Sequence, residues 1–287
     1  MKYLNLILVF FILSSCSENE EQQVLEIHYW TTQEELNDFQ KELDDMVVFE
    51  GDITIGYDIN DLSALLNLTE VTGELSFRSS KLERIHLPNL EYVGELDFRG
   101  NTTLTTIDLP KIKMVSDDIF VFGNSALKTI QMNDLQRIEE NGIDIISNDS
   151  LMTINFQKLE LYSYLNFRWN TALNQVNLQK SIPEKCEDIS LQFDFVNTNS
   201  DLFEDSSTFC FLDLKISNTS NSNLEWLANL DGNNILSNTK VIGEFDIDQF
   251  CFLKEKLSQM DNPLRFYVGE SFYSSDFSGI EIIQECN

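Results

Sequence analysis

Histidine is nearly absent: His28 and His86 are the only two in 287 residues. That scarcity removes most catalytic triads, zinc centres and histidine-based acid–base schemes, so an enzyme built on this chain would run on carboxylates. Basic residues are few as well, with 19 Lys and Arg against 48 Asp and Glu, for a net charge of −29. Nucleic-acid affinity rests on cationic side chains that release counterions from phosphates, which excludes DNA and RNA as partners. The chain carries no Gly-x-Ser-x-Gly, no His-Glu-x-x-His, no phosphate loop and no Cys-x-x-Cys. The acidic loop Asp231-Gly232-Asn233-Asn234 offers oxygen ligands without EF-hand spacing or its terminal Glu, so neither a metal nor another cofactor is expected. Apolar residues are plentiful: 42% of the chain is hydrophobic and 21 residues are Phe, too apolar for a disordered acidic tail and enough for a large core.

Near the N-terminus, Lys2 is followed by an apolar run from Leu4 to Leu13 and then by Ser14 and Ser15. The run stops at half the about 20 residues a membrane helix needs. Its charged, apolar and small-residue order predicts a secretory signal over residues 1–15. Leu13-Ser14-Ser15-Cys16 resembles the lipobox of bacterial lipoproteins, in which cleavage precedes the cysteine and its thiol is diacylglyceryl-modified. The resemblance implies a membrane anchor on Cys16. Ser17 in the next position, rather than Asp, implies passage to the outer membrane, and the acidic run that follows resembles the tether of surface-exposed lipoproteins. The tether is assigned to residues 16–30.

Four further cysteines, Cys186, Cys210, Cys251 and Cys286, lie in the last third. An even count in an exported chain predicts disulfides, with three connectivities open. The sequential one would pair Cys186 with Cys210 and Cys251 with Cys286.

The dominant signal is an internal repeat. Leu82, Leu104, Leu127, Leu151 and Leu173 recur at intervals of 22, 23, 24 and 22 residues. Each is followed at three residues by Ile85, Ile107, Ile130, Ile154 or Val176, and two further on by Leu87, Leu109, Met132, Phe156 or Leu178. Asn101, Asn124, Asn148 and Asn170 precede four of these leucines by three residues, with Ser79 in that place in the first unit. Ahead of each asparagine runs a five-residue apolar alternation, such as Leu96/Phe98 or Ile143/Ile145, which reads as a half-buried strand. An earlier strand at Ile53/Ile55 and looser copies at Leu191/Phe193/Phe195, Leu212/Leu214/Ile216, Phe245/Ile247 and Leu264/Phe266/Val268 bring the total to about ten rungs. A unit this short cannot close a core alone, so the rungs must stack into a mainly β, parallel β-solenoid. The asparagines read as structural, bonding turn backbone that would otherwise be buried unsatisfied.

Solenoids need capped ends. Thr32 with Glu35 forms a capping box, and Leu36, Phe39 and Leu43 recur at helical spacing, which predicts a capping helix over about Gln33 to Leu43. Residues 31–180 form the regular solenoid. Residues 181–287 are an irregular continuation and a disulfide-stapled C-terminal cap, with a helical stretch from Phe250 to Leu257.

The strings Val71-Thr72-Gly73-Glu74-Leu75-Ser76-Phe77 and Leu82-Glu83-Arg84-Ile85-His86-Leu87, continuing through Tyr92-Val93-Gly94-Glu95-Leu96-Asp97-Phe98, resemble the receptor L-domain family. This resemblance covers about residues 31–180 and implies a leucine-rich-repeat-like right-handed β-helix that recognises a ligand. The family has no common catalytic residues to carry over, and the signature fades after Ile182.

With the inward positions assigned, alternation points the others outward: Glu74-Ser76-Arg78, Glu95-Asp97-Arg99, Asp118-Phe120-Phe122, Gly142-Asp144-Ile146 and Tyr164-Asn166-Arg168. Phe120, Phe122, Ile146 and Tyr164, with Arg99 and Arg168 beside them, form a candidate ligand-binding patch, since exposed apolar groups among charges mark interaction sites. The bland reading is that the C-terminal region covers them. Glu95, Asp97, Asp118 and Asp144 share the face and would suit a carboxylate-dependent glycan-cleaving enzyme, although a carboxylate ladder beside arginines is ordinarily a salt-bridged surface. Asp149-Ser150-Leu151 resembles a bacterial O-glycosylation sequence but fits a turn serine better, and Trp169 would stack on a sugar or pack between rungs. The expectation is a non-catalytic, lipid-anchored outer-membrane protein that binds a protein or glycan. The alternatives are the glycan-cleaving enzyme and a passive structural surface protein.

Overall fold

Period-two apolarity makes the strands and the 22-to-24-residue period stacks them. The computed structural model describes residues 26–43, 47–160, 164–173, 175–178, 190–195, 213–216, 240–243, 247–259, 265–268 and 277–286. Over these the chain is mainly β, a parallel β-solenoid of about six turns with few helices. In chain order the strands are β1 (Glu26–Thr32), β2 (Val48–Phe49), β3 (Gly51–Asp58), β4 (Glu70–Ser76), β5 (Arg84–His86), β6 (Tyr92–Arg99), β7 (Thr106–Asp108), β8 (Met114–Val115), β9 (Ile119–Phe122), β10 (Thr129–Gln131), β11 (Arg137–Ile138), β12 (Gly142–Ile146), β13 (Thr153–Phe156), β14 (Tyr164–Arg168), β15 (Gln175–Leu178), β16 (Ser190–Phe195), β17 (Asp213–Ile216), β18 (Lys240–Gly243), β19 (Arg265–Val268) and β20 (Phe277–Ser278).

The first sheet runs β1-β3-β4-β6-β9-β12-β14-β16-β17-β18-β19-β20, parallel until the final antiparallel pair, with β2, β8 and β11 beside it. The second runs β5-β7-β10-β13-β15. Register puts Ile53, Leu75, Leu96, Ile119, Ile143 and Leu165 in one column and Ile85, Ile107, Ile130, Ile154 and Val176 in another, all buried. Phe77 and Phe98 stack on adjacent rungs with centroids 5.5 Å apart. A third side carries Leu90, Ile112, Leu135 and Leu159, again buried at the repeat interval.

Between the two sheets the chain turns inward, and the asparagines fill that turn. Asn101 N–H donates to Asn124 Oδ1 (2.8 Å), Asn124 N–H to Asn148 Oδ1 (3.0 Å) and Asn148 N–H to Asn170 Oδ1 (3.1 Å). The amides also reach backbone carbonyls, Asn124 Nδ2 to Phe98 (2.7 Å) and Asn170 Nδ2 to Ile145 (2.8 Å). In the first unit Ser80 rather than Ser79 takes the ladder place, its N–H and hydroxyl both donating to Asn101 Oδ1 at 2.7 Å, and the residue before each ladder position has positive φ: Ser79, Gly100, Gly123, Ser147 and Trp169. Left-handed backbone suits glycine, so Ser79, Ser147 and Trp169 are the non-glycine members of that column, Trp169, at φ 55°, the bulkiest.

Helix α1 (Gln33–Leu43) starts at the expected capping box. Glu35 N–H donates to Thr32 Oγ1 (3.3 Å), and Glu35 Oε2 accepts from Thr31 N–H (2.8 Å) and Thr32 N–H (3.1 Å), bonds that lower the Glu35 pKa. Residues 26–30, assigned from the sequence to a tether, belong to the first sheet, because Glu26–Thr32 pairs with β3. Its inward side chains explain the pairing: Trp30 packs on Phe39 of α1 at 5.3 Å, and His28 packs on both Phe39 and Phe49.

At the other end, one expected rung shifts. The strand falls at Lys240–Gly243 rather than at Phe245/Ile247, and Ile247–Leu253 is a 3-10 helix running into α2 (Lys254–Leu257). Helix α3 (Gly279–Glu285) packs on these elements, with Phe250, Leu253, Leu257 and Ile282 buried. A disulfide joins Cys251 to Cys286 across a sequence separation of 35 residues, worth roughly 4 kcal/mol in the loop-entropy account. Cys16, Cys186, Cys210 and residues 1–15, where a secretory signal is expected, lie outside the described residues. Among the described residues, no helix is long and apolar enough to cross a membrane.

Candidate functional site

Parallel register turns the outward residues of the first sheet into three columns. The first holds Asp52, Glu74, Glu95, Asp118, Gly142 and Tyr164, and the second Thr54, Ser76, Asp97, Phe120, Asp144 and Asn166. The third holds Arg78, Arg99, Phe122, Ile146 and Arg168. Arg99, Phe120, Phe122, Ile146, Tyr164 and Arg168 therefore share one face, as expected from the sequence. They differ in exposure. Phe122 is 47% exposed, whereas Phe120, Ile146 and Tyr164 are half-buried. The Arg99 guanidinium lies 5.0 Å from the Phe120 ring centre, a cation–π contact that covers part of the ring.

Tyr164 points its hydroxyl across the face rather than into water. It donates to Asp118 Oδ1 (2.9 Å) and contacts Asp144 Oδ2 (3.1 Å). Burial first, then the bond to Asp118 and the charge of Asp144, push its pKa upward and keep the phenol protonated. Gly142 makes room for this arrangement, because a Cβ there would stand 2.1 Å from the Tyr164 carbonyl oxygen.

Asp97 departs from the sequence expectation of a solvated ladder. It is fully buried, and Arg78 and Arg99 close on it from two rungs. Arg99 Nε donates to both Asp97 oxygens at 2.9 and 2.8 Å, and its N–H reaches Oδ1 at 3.1 Å. The guanidinium bonds to Asp97 raise the Arg99 pKa. Arg78 also pairs with Glu74 at 2.8 Å. Only Asp97 is buried, since the Arg78 and Arg99 side chains are 49% and 42% exposed, so solvent screens both pairs and either arginine alone still partners the carboxylate.

Glu95 is different. It is half-buried and has no hydrogen-bond or ion-pair partner among the described residues. Burial, then Glu74, Asp117, Asp118 and Asp97 in that order, push its pKa up to about 7. Oxygens of Glu74, Glu95 and Asp97 lie within 4.8 Å of one another, close enough to share a cation. Two guanidiniums already fill the lone pairs of Asp97, however, and Arg78 also holds Glu74, which leaves Glu95 as the one carboxylate of the three without a paired cation among the described residues. A carboxyl titrating near neutrality beside other carboxylates also has the makings of a general acid.

Sequence reasoning placed Glu95 on the face but missed the Tyr164 bridge, whose signal was the glycine one rung below. It also left open whether Trp169 packs. The indole is 55% exposed and sits beside Arg168 at the end of the third column. Away from this face, His86 Nδ1 and Arg84 both contact Asp108 on the second sheet, the His86 distance being 2.8 Å. In comparison with known proteins, no family model, no curated protein and no solved structure matches the chain.

Proposed function

We propose that this chain is a recognition protein of the outer membrane, held by a lipid on Cys16, which binds a protein or glycan ligand through the outward face of its first sheet and performs no catalysis. The observation that carries the reading is Phe122, a phenyl ring 47% exposed on the sheet face between Arg99 and Ile146. Leaving such a ring in water forgoes roughly 1 kcal/mol or more of burial energy, and fold stability gives no reason for it. The receptor L-domain resemblance of residues 31–180 supports ligand recognition, and the lipobox residues support the anchor. The test is a screen of the soluble protein from residue 17 onward against glycans and envelope proteins, with Phe122→Ser as the control. Loss of binding at unchanged melting supports the face, whereas equal binding by the variant removes it.

A second reading, the carboxylate-dependent glycan-cleaving enzyme, is favoured by one observation, the Glu95 carboxyl held at about 7 among other carboxylates. Glycan hydrolysis that disappears in Glu95→Gln would replace recognition by catalysis.

A further inference from the structure

The first column of the sheet face stacks Asp52, Glu74, Glu95 and Asp118 on successive rungs. Like charges in direct register destabilise a sheet; Arg78 relieves Glu74 at 2.8 Å, but among the described residues no cation pairs with Glu95. Arg78 and Arg99 both turn onto Asp97, and Asp118 is met by the neutral donors Tyr164, Asn141 and the Gly142 N–H. Glu95 thus sits unpaired between Glu74 on one rung and Asp118 on the next.

A second observation lies beside it. Ser76 is 1% exposed and its hydroxyl has no hydrogen-bond partner. Leu75 and Phe77 point into the core, so Ser76 points outward, between Glu74 and Arg78 along its strand and opposite Asp97. Ser76 belongs to the second column, next to the acidic one and diagonal to Glu95, so among the described residues an unsatisfied hydroxyl adjoins the unpaired carboxyl.

We propose that this column docks a polypeptide segment bearing a lysine or arginine, whose cation is received by Glu95 while an apolar side chain of the same segment lies on Phe122 and Ile146. The inference deepens the recognition reading and rests on it. Charge complementarity selects the partner: the chain carries −29 overall, and the negative surplus of this face lies in the first column around Glu95, while Arg99 stands beside Phe122 in the third. Phe122 lies one rung from Glu95 and four residues along the strand direction, about 13 Å at about 3.3 Å per residue. An extended segment with its basic residue at i and its apolar residue at i+4 puts both on one side at that separation. A neutral glycan would leave Glu95 uncompensated. A divalent ion would meet Asp97 already saturated by two guanidiniums.

Binding of a cation favours ionised Glu95, so affinity should rise with pH. The facing groups are Glu74 and Arg78 from β4, Asp97 and Arg99 on β6 itself, and Asp117 and Asp118 ahead of β9. With the free carboxyl at about 7, affinity at pH 8 should exceed that at pH 6 by about tenfold.

The experiment uses blocked five-residue peptides with Lys or Arg first and Phe, Leu or Tyr fifth, titrated onto the soluble protein by calorimetry. Matched peptides with Glu first, calcium chloride and a chito-oligosaccharide serve as the other arms. The expected result is binding of the basic peptides only, weakened at least fivefold and made pH-independent by Glu95→Gln, with Asp149→Asn and Glu83→Gln as charge-matched controls that bind as the parent does. Absence of binding tighter than about 1 mM across the basic peptides, equal loss in the control variants, or Glu95-dependent binding of calcium or sugar instead would each overturn the inference. If a ligand found by the screen depends on Phe122 but not on Glu95, the recognition reading survives and the cationic partner falls.

Discussion

Replacing Asn124 with Ala tests whether the buried asparagine ladder holds the rungs together. The side chain accepts from Asn101 N–H at 2.8 Å and donates to the Phe98 carbonyl at 2.7 Å and to Asn148 Oδ1 at 3.1 Å. Asn148 Oδ1 keeps a partner in the variant, because Asn124 N–H still reaches it at 3.0 Å. The Asn101 N–H and the Phe98 carbonyl lose the bonds this side chain supplies, at roughly 1–3 kcal/mol each. The expected loss is therefore about 3 kcal/mol, or roughly 6–12 °C in Tm for a domain of this size. Asn124→Asp should fare no better, since it keeps the acceptor for Asn101 but turns an oxygen toward the Phe98 carbonyl. Ser125→Ala, at an exposed neighbour, should change stability by less than about 0.5 kcal/mol. Urea denaturation of the three variants measures this. A loss below about 1 kcal/mol for Asn124→Ala would refute the claim that the turn backbone depends on these amides.

Leu127→Asp should cost at least about 4 kcal/mol in the same assay, because Leu127 is fully buried and the new carboxylate would have no partner; near-parental melting would show the register to be wrong. Cys16→Ala should abolish acylation and mis-sort the protein, and mass spectrometry of the native N-terminus finding cleaved but unmodified Cys16 would contradict the anchor. Glu95→Gln should stabilise the fold at pH 8 but not at pH 5. The folded state holds this carboxyl at about 7, above its ordinary 4.5, so ionisation destabilises the fold as pH rises through that window. Solvent exposure of Glu95 limits the gain to about 1 kcal/mol, and an effect of opposite sign in pH-dependent melting would mean that Glu95 has a cationic partner in the free protein.

The stacked leucines, the isoleucine column and the asparagine turns were legible because each repeats at the same offset, and a parallel solenoid converts sequence offset directly into contact. The third buried side, Leu90, Ile112, Leu135 and Leu159, obeys the same period, yet it lies in stretches that lack strand alternation and so did not declare itself. Strand β1 escaped notice because its partner is β3 and its packing comes from Phe39, which the sequence assigned only to the capping helix, and from Phe49. On the candidate site, alternation put Phe122 and Arg99 on the outside correctly. It could not show that Asp97, an outward residue by alternation, is fully buried, because Arg99 folds back on it from two residues along the same strand and Arg78 leans in from the adjacent rung. The Tyr164 hydroxyl is a similar case: its reach to Asp118 spans 46 residues of sequence and depends on the space left at Gly142.

Recognition through the sheet face is tested most directly by measuring, for the soluble protein from residue 17 onward, the affinity of a ligand recovered in the screen alongside the affinity of Phe122→Ser. The account expects binding to fall by about 2 kcal/mol or more, roughly thirtyfold, with Tm unchanged within 1–2 °C by the order-of-magnitude scale for surface substitutions. Undiminished affinity in Phe122→Ser, or a steep fall in its melting temperature, would contradict it.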